Sequence, residues 1–205
     1  MKAEEINKQE VYRYLGYRGG ARPDEETAKR IDGCIVQIAD AAQPRKAVKR
    51  MPLTVCPDEK DTLLFGGMRV KSRNLSHHLA GCTEIVVFAA TVGIGVDRLI
   101  KRASVSGMAD AAILQAAGAA AVEAVCDQIE EETGNTAAVD GLKARRRFSP
   151  GYGDFALSHQ PEVLSMVNAA KLTGITLTDG YLMVPSKSVT AVIGLYNEEI
   201  NATDA

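Results

Sequence analysis

At 205 residues the chain has the length of one large domain, and it can bury a core without disulfide or metal support. Hydrophobic residues make up 46% and charged residues 24%, and the net charge is −2, so no general polyanion affinity and no nucleic-acid partner is expected; nucleic-acid binding would have to rest on a local patch such as Lys143 to Arg147. Cys34, Cys56, Cys82 and Cys126 form no Cys-x-x-Cys pair and have no histidine cluster beside them, which argues against a zinc site or disulfide framework. Met1 to Glu5 holds no apolar signal run, and no stretch of about 18 apolar residues occurs. No membrane span is therefore expected, and a reducing, cytoplasmic setting is the default.

Residues 6–17 hold Tyr12, Tyr14 and Tyr17 ahead of Gly19-Gly20. A short helix and a packing arm of about 20 residues both fit this segment. Pro23 followed by Asp24-Glu25-Glu26 is a helix start, and Ile31, Ile35 and Ile38 carry the helical period to Ala42 before Pro44 stops it. Lys46 to Cys56 alternates as a strand interrupted near Pro52, and Thr62–Phe65 is a second strand closed by Gly66-Gly67. Ser72 caps a short helix over 72–80. His77 and His78 lie within it and, being adjacent, cannot both face one metal.

Glu84–Ala90 is an unbroken apolar run, the pattern of a strand buried on both faces. Gly93-x-Gly95 and a helix over 96–103 follow. That outline resembles a phosphate cradle, but the third glycine and a Gly-Lys-Ser/Thr are missing, so a tight structural turn is preferred. Residues 107–132 form the longest predicted helix, apolar on nearly every side. Glu123 sits there among Ala119, Ala120 and Cys126. A buried glutamate needs a cation or a donor, whereas a solvated one needs nothing. Pro161 starts a helix ending near Gly174. Strands follow at 175–177, 181–184 and 188–193, and the tail from Asn197 is polar. Strands near both ends with helices between predict an α+β domain over 1–205: a twisted, largely antiparallel sheet with long helices packed against it.

Between the long helix and the last strands lies Arg145-Arg146-Arg147-Phe148-Ser149-Pro150-Gly151-Tyr152-Gly153-Asp154. Pro150 pushes Ser149 away from the helical region, and the two glycines permit close backbone approach. The turn presents backbone groups, an aromatic ring and a guanidinium together, a set suited to a polar, partly planar molecule with a carboxylate or phosphate. An exposed Pro-Gly turn is the plainer alternative.

Arg147-Phe148-Ser149-Pro150-Gly151-Tyr152 resembles the Arg-x-Ala-Pro-Gly-Tyr signature of the activation domain of cobalamin-dependent methionine synthase. Thr173–Asp179 resembles that family's Thr-Gly-x-x-Leu-Thr-Glu, Pro185 with Ser188-Val189 resembles its Pro-x-x-Ser-Val, and Phe88–Gly93 resembles the strand end before its long helices. The resemblance covers roughly residues 84–195. It implies S-adenosylmethionine as ligand, with Arg147 on the ligand carboxylate, Ser149 and Gly151 offering backbone, Tyr152 in the binding turn and Glu123 as the helical ligand glutamate. It implies no catalytic base and no metal ligand in this chain. It also implies a cobalamin-carrying methionine synthase partner and a flavodoxin-like reductant, because the chain has no Asp-x-His-x-x-Gly cobalamin motif. Such a component would stand alone and support reductive methylation of cob(II)alamin on that partner, in methionine biosynthesis. Two departures, the absence of an assignable N-terminal ligand aspartate and of a late tyrosine, keep a second expectation open: a regulatory module of the same fold that has lost S-adenosylmethionine. A nucleotide-binding enzyme built on Gly93 and Gly95 is the third.

Overall fold

The structure, a computed structural model, describes residues 1–197. The tyrosine-rich start is helical: α1 (Lys8–Tyr14) is capped by Asn7, whose side chain accepts from the Gln9 amide at 2.9 Å. Asp24 caps α2 (Glu25–Ala41) through the Thr27 amide at 2.7 Å, so Pro23 lies just outside the helix it announces. Four strands follow, β1 (Arg45–Pro52), β2 (Thr54–Val55), β3 (Thr62–Phe65) and β4 (Met68–Lys71), and then the short helix α3 (Arg73–His78). Next come β5 (Cys82–Thr91), α4 (Ile94–Ser106), α5 (Met108–Val139) and β6 (Lys143–Ala144). The chain then forms α6 (Gln160–Met166), α7 (Ala169–Leu172), β7 (Thr176–Leu177), β8 (Met183–Val184) and β9 (Ser188–Tyr196).

The main sheet has the order β1-β5-β9-β6, β2-β3-β4 form a smaller sheet, and β7-β8 a hairpin. Every ladder is antiparallel. The class is therefore α+β with antiparallel sheets and long helices, as expected.

β5 explains its own apolar run. Val86, Phe88 and Ala90 enter a core shared with α1, α2, α4 and α5, while Ile85, Val87 and Ala89 enter a second core with Phe65, Leu75 and Phe155. Alternate side chains of one strand thus serve two cores. α5 is long and apolar enough to span a bilayer by length and composition, but 61% of that window is buried inside the fold, as in a core helix.

Several boundaries differ from expectation, among them α4, expected over 96–103, and β8, expected over 181–184, whose first two residues lie in the hairpin tip. The strand expected over 46–56 divides at Pro52: Leu53 donates to Thr83 at 2.9 Å, and Thr54–Val55 join the smaller sheet instead. α5 continues to Val139, because Thr133 and Ala137 keep its apolar face buried past residue 132. The single helix expected from Pro161 to Gly174 breaks at Asn168, which adopts a left-handed φ of 54°, a conformation asparagine enters easily. The last strand runs to Tyr196 rather than 193, since its end pairs with β6. Gly93 and Gly95 are packing residues: a Cβ on Gly95 would lie 2.5 Å from the Ala41 carbonyl, so glycine lets α4 begin against the end of α2.

Candidate functional site

After α5 the chain returns along the edge of β9. Arg145 donates to the Gly194 carbonyl, and Phe148 and Val192 exchange both backbone bonds at 2.9 Å. Beyond Phe148 the chain leaves the sheet. Gly151 at φ 94° lets it reverse, and its amide reaches the Phe155 carbonyl at 2.7 Å. Phe155 is fully buried beneath the turn, whereas Tyr152 is 68% exposed above it.

Arg147 points back to α5. Its Nη2 donates to Glu123 Oε2 at 2.5 Å, and its Nη1 donates to Asp127 Oδ1 at 2.8 Å and Glu130 Oε2 at 2.7 Å. The Arg147 amide donates to the other Glu130 oxygen at 2.6 Å. Glu123, Asp127 and Glu130 stand four and three residues apart, so they share one helix face. Burial pushes the Arg147 pKa down, but the bonds to Asp127 and the charges of Glu130 and Glu123 outweigh it and hold the guanidinium above its ordinary value. On the same helix, burial pushes the Cys126 thiol up to about 12, which leaves it an unreactive core group.

The turn, α5, the β7–β8 hairpin tip and the first half of β9 enclose a cavity of about 680 Å³, within the range of small-molecule sites. Its aromatic walls are Phe148, Tyr152 and Tyr181, with Leu182 beside them. Gln160, Ser188 and Thr190 supply polar lining that is 2%, 8% and 2% exposed. Thr190 Oγ1 donates to Gln160 Oε1 at 2.9 Å, which fixes the glutamine amide.

Glu123, Arg147, Ser149 and Tyr152 all line this cavity; Gly151 does not, and shapes the turn instead. The charges differ from expectation in one respect. The resemblance gives Glu123 and Arg147 separate duties toward the ligand, Arg147 on its carboxylate and Glu123 as the helical ligand glutamate. They are bonded to each other, because three acids on one helix face stand opposite a single guanidinium. Arg146, with its side chain 83% exposed, also lines the cavity and lies 3.6 Å from Glu130.

Sequence reading missed Asp127, Glu130, Gln160, Tyr181 and the β9 hydroxyls. The acids were visible in the spacing from Glu123. Ser188 and Thr190 were visible as alternate polar residues in an apolar strand. Tyr181 carried no signal, since its φ of 62° arises in the hairpin tip.

No protein-family model and no curated protein matches the chain. Among solved structures it is similar to the crystal structure of the MetH reactivation domain bound to AdoHcy. The TM-score is 0.71 at 15% sequence identity, over 97% of this chain and 77% of that one. At that identity the likeness is one of architecture, and the chain has the fold of the MetH reactivation domain.

Proposed function

We propose that the cavity binds S-adenosylmethionine and that the chain serves as a reactivation component for a cobalamin-dependent methionine synthase, with the cobalamin on a partner protein. The observation that carries this reading is the 680 Å³ cavity built on the Arg147–Tyr152 turn, in a fold solved elsewhere with AdoHcy. The residues present fit such a ligand. Phe148, Tyr152 and Tyr181 offer ring faces for an adenine, and exposed turn backbone offers polar contacts. Glu123 offers a carboxylate to a sulfonium or ammonium, while Arg146 and Arg147 offer charge to a carboxylate. When bound, S-adenosylmethionine supplies the methyl group for cobalamin in its reduced state. This chain's residues bind and orient, and no general base is required of them. A flavodoxin-like protein is the proposed electron donor.

The engagement of Arg147 by three carboxylates favours a second reading, a module of the same fold without the ligand. Calorimetry separates the two. Saturable binding of S-adenosylmethionine and S-adenosylhomocysteine, with none of ATP, is expected. Absence of heat with all three would establish the second reading, and heat with ATP alone would return the glycine pair to consideration.

A further inference from the structure

The turn that walls the cavity has little internal support. Gly151, Tyr152 and Phe155 amides bond within it, and Tyr152 stands out into solvent. Restraint from outside the turn comes from α5 through Arg147, from β9 through Phe148, and from α3, which touches the turn on both sides. On the far side, the Asp154 carboxylate accepts from Ser72 Oγ at 2.5 Å, from the Arg73 amide at 2.8 Å and from the Asn74 amide at 3.0 Å. The Ser72 hydroxyl hydrogen bond comes first among the causes that hold the Asp154 carboxyl below its usual range. Ser72 is 1% exposed and also accepts from the Leu75 amide at 3.0 Å, so the contact is anchored in the helix itself. Next to it, Gly153 at φ 55° lies so close to α3 that a Cβ would sit 2.9 Å from Asn74 Cγ. On the near side, His78 Nε2 donates to the Arg146 carbonyl at 2.7 Å, and its ring lies 5.1 Å from that of Phe148.

We propose that α3 is a positioning element of the cavity, beside α5 and β9, with Ser72, His78 and Asp154 as positioning residues that act through the turn. None of the three lines the cavity. His78 holds the carbonyl just before Arg147, and Asp154 holds the chain just after Gly153, so the Arg147–Tyr152 segment is fixed at both ends. One helix one and a half turns long reaches both ends because the turn doubles back on itself at Gly151. The proposal rests on the reading that the cavity binds S-adenosylmethionine. Its structural half, the clamping of the turn, does not.

The test has two arms. In the first, S-adenosylmethionine affinity is measured for wild type, D154A, H78A and the donor- or acceptor-retaining variants D154N and H78Q. A wall displaced by about 1 Å weakens binding, and roughly tenfold is expected for each alanine variant, with near wild-type affinity for H78Q and a smaller loss for D154N, whose one carbonyl oxygen keeps the Ser72 and Asn74 bonds but gives up the bond from Arg73. In the second, amide hydrogen exchange is followed at Gly151, Tyr152 and Phe155 without ligand. Exchange should quicken in D154A and H78A while the amides of β5 keep their protection. S72A, which removes one bond of the three at Asp154, serves if D154A fails to fold, and should show the same change in smaller measure. Unchanged exchange and unchanged affinity in the alanine variants would overturn the proposal, and so would equal losses in the alanine and conservative variants. If wild type binds no S-adenosylmethionine, the ligand reading falls by itself, and the exchange arm alone decides whether α3 clamps the turn.

Discussion

At the scale of single residues, Arg147 governs the site. Glu123 was legible as a carboxylate among small apolar neighbours that would need a cation from outside its helix if that face were buried; composition alone fitted a solvated face as well. Which cation was not legible, because that depends on the distance between α5 and a returning strand edge. The structure supplies Arg147, 24 residues further on. Its side chain is 18% exposed and Glu130's is 13%, so removing the guanidinium leaves a nearly buried carboxylate without its main cation. Breaking a buried pair costs about 3–5 kcal/mol. Asp127 stays 63% exposed and Glu123 32%, and water will take up part of that loss. R147A is therefore expected to lower unfolding free energy by about 2–3 kcal/mol in urea titration. R147K should recover only part, since an ammonium cannot hold three carboxylates in one plane. An R147A protein as stable as wild type would show that the cluster contributes nothing net.

At the scale of elements, strong periodicity was legible and local exceptions were not. Glu84–Ala90 announced a doubly buried strand, and β5 is one. The Pro23–Ala42 helix and the Ser72 cap were likewise visible, because propensity, capping and period agreed there. Asn168 interrupts a pattern that stays apolar through it, so only a backbone angle marks the break. The pairing of residues 143–148 with β9 was hidden because an edge segment of three arginines has no strand pattern of its own. Gly194 shows how tightly such pairings are specified. It lies in β9 opposite Ile85, and a Cβ there would sit 2.6 Å from both Cys82 Sγ and Leu79 Cδ2, side chains of buried residues. G194A is expected to cost about 1–3 kcal/mol as an overpacked core. Gly134 in α5 has open space around its Cβ position, and G134A should stabilise by roughly 0.5–1 kcal/mol through helix propensity. Thermal unfolding of the two variants should move in opposite directions. A G194A midpoint at or above wild type would mean that the strand relaxes without loss.

At the scale of the whole molecule, two cores share β5 and β9, and the cavity opens where β9 begins, beside the turn, α5 and the hairpin. The charge cluster beside this opening is unbalanced: Glu123, Arg146 and Arg147 line the cavity, while Asp127 and Glu130 bond Arg147 from outside the lining. Glu123, Asp127 and Glu130 stand against Arg146 and Arg147, so the cluster carries one net negative charge. Arg147 is the only cation bonded to Glu123 among the described residues. A ligand with a fixed positive charge should therefore be preferred over the same ligand without it. S-adenosylmethionine carries a sulfonium, and S-adenosylhomocysteine a neutral thioether in its place. One net charge at about 8 Å, in a surroundings of effective dielectric about 20–40, is worth ~1–2 kcal/mol. Calorimetry should then give S-adenosylmethionine roughly five- to thirtyfold tighter binding than S-adenosylhomocysteine. E123Q brings the cluster to neutrality and should bring the two affinities together, chiefly by weakening S-adenosylmethionine. Raised salt should narrow the gap in wild type and leave E123Q little changed, since only the former depends on a partly exposed charge. Equal affinities in wild type would show that the sulfonium does not feel the cluster, and would place the ligand's charged end away from α5.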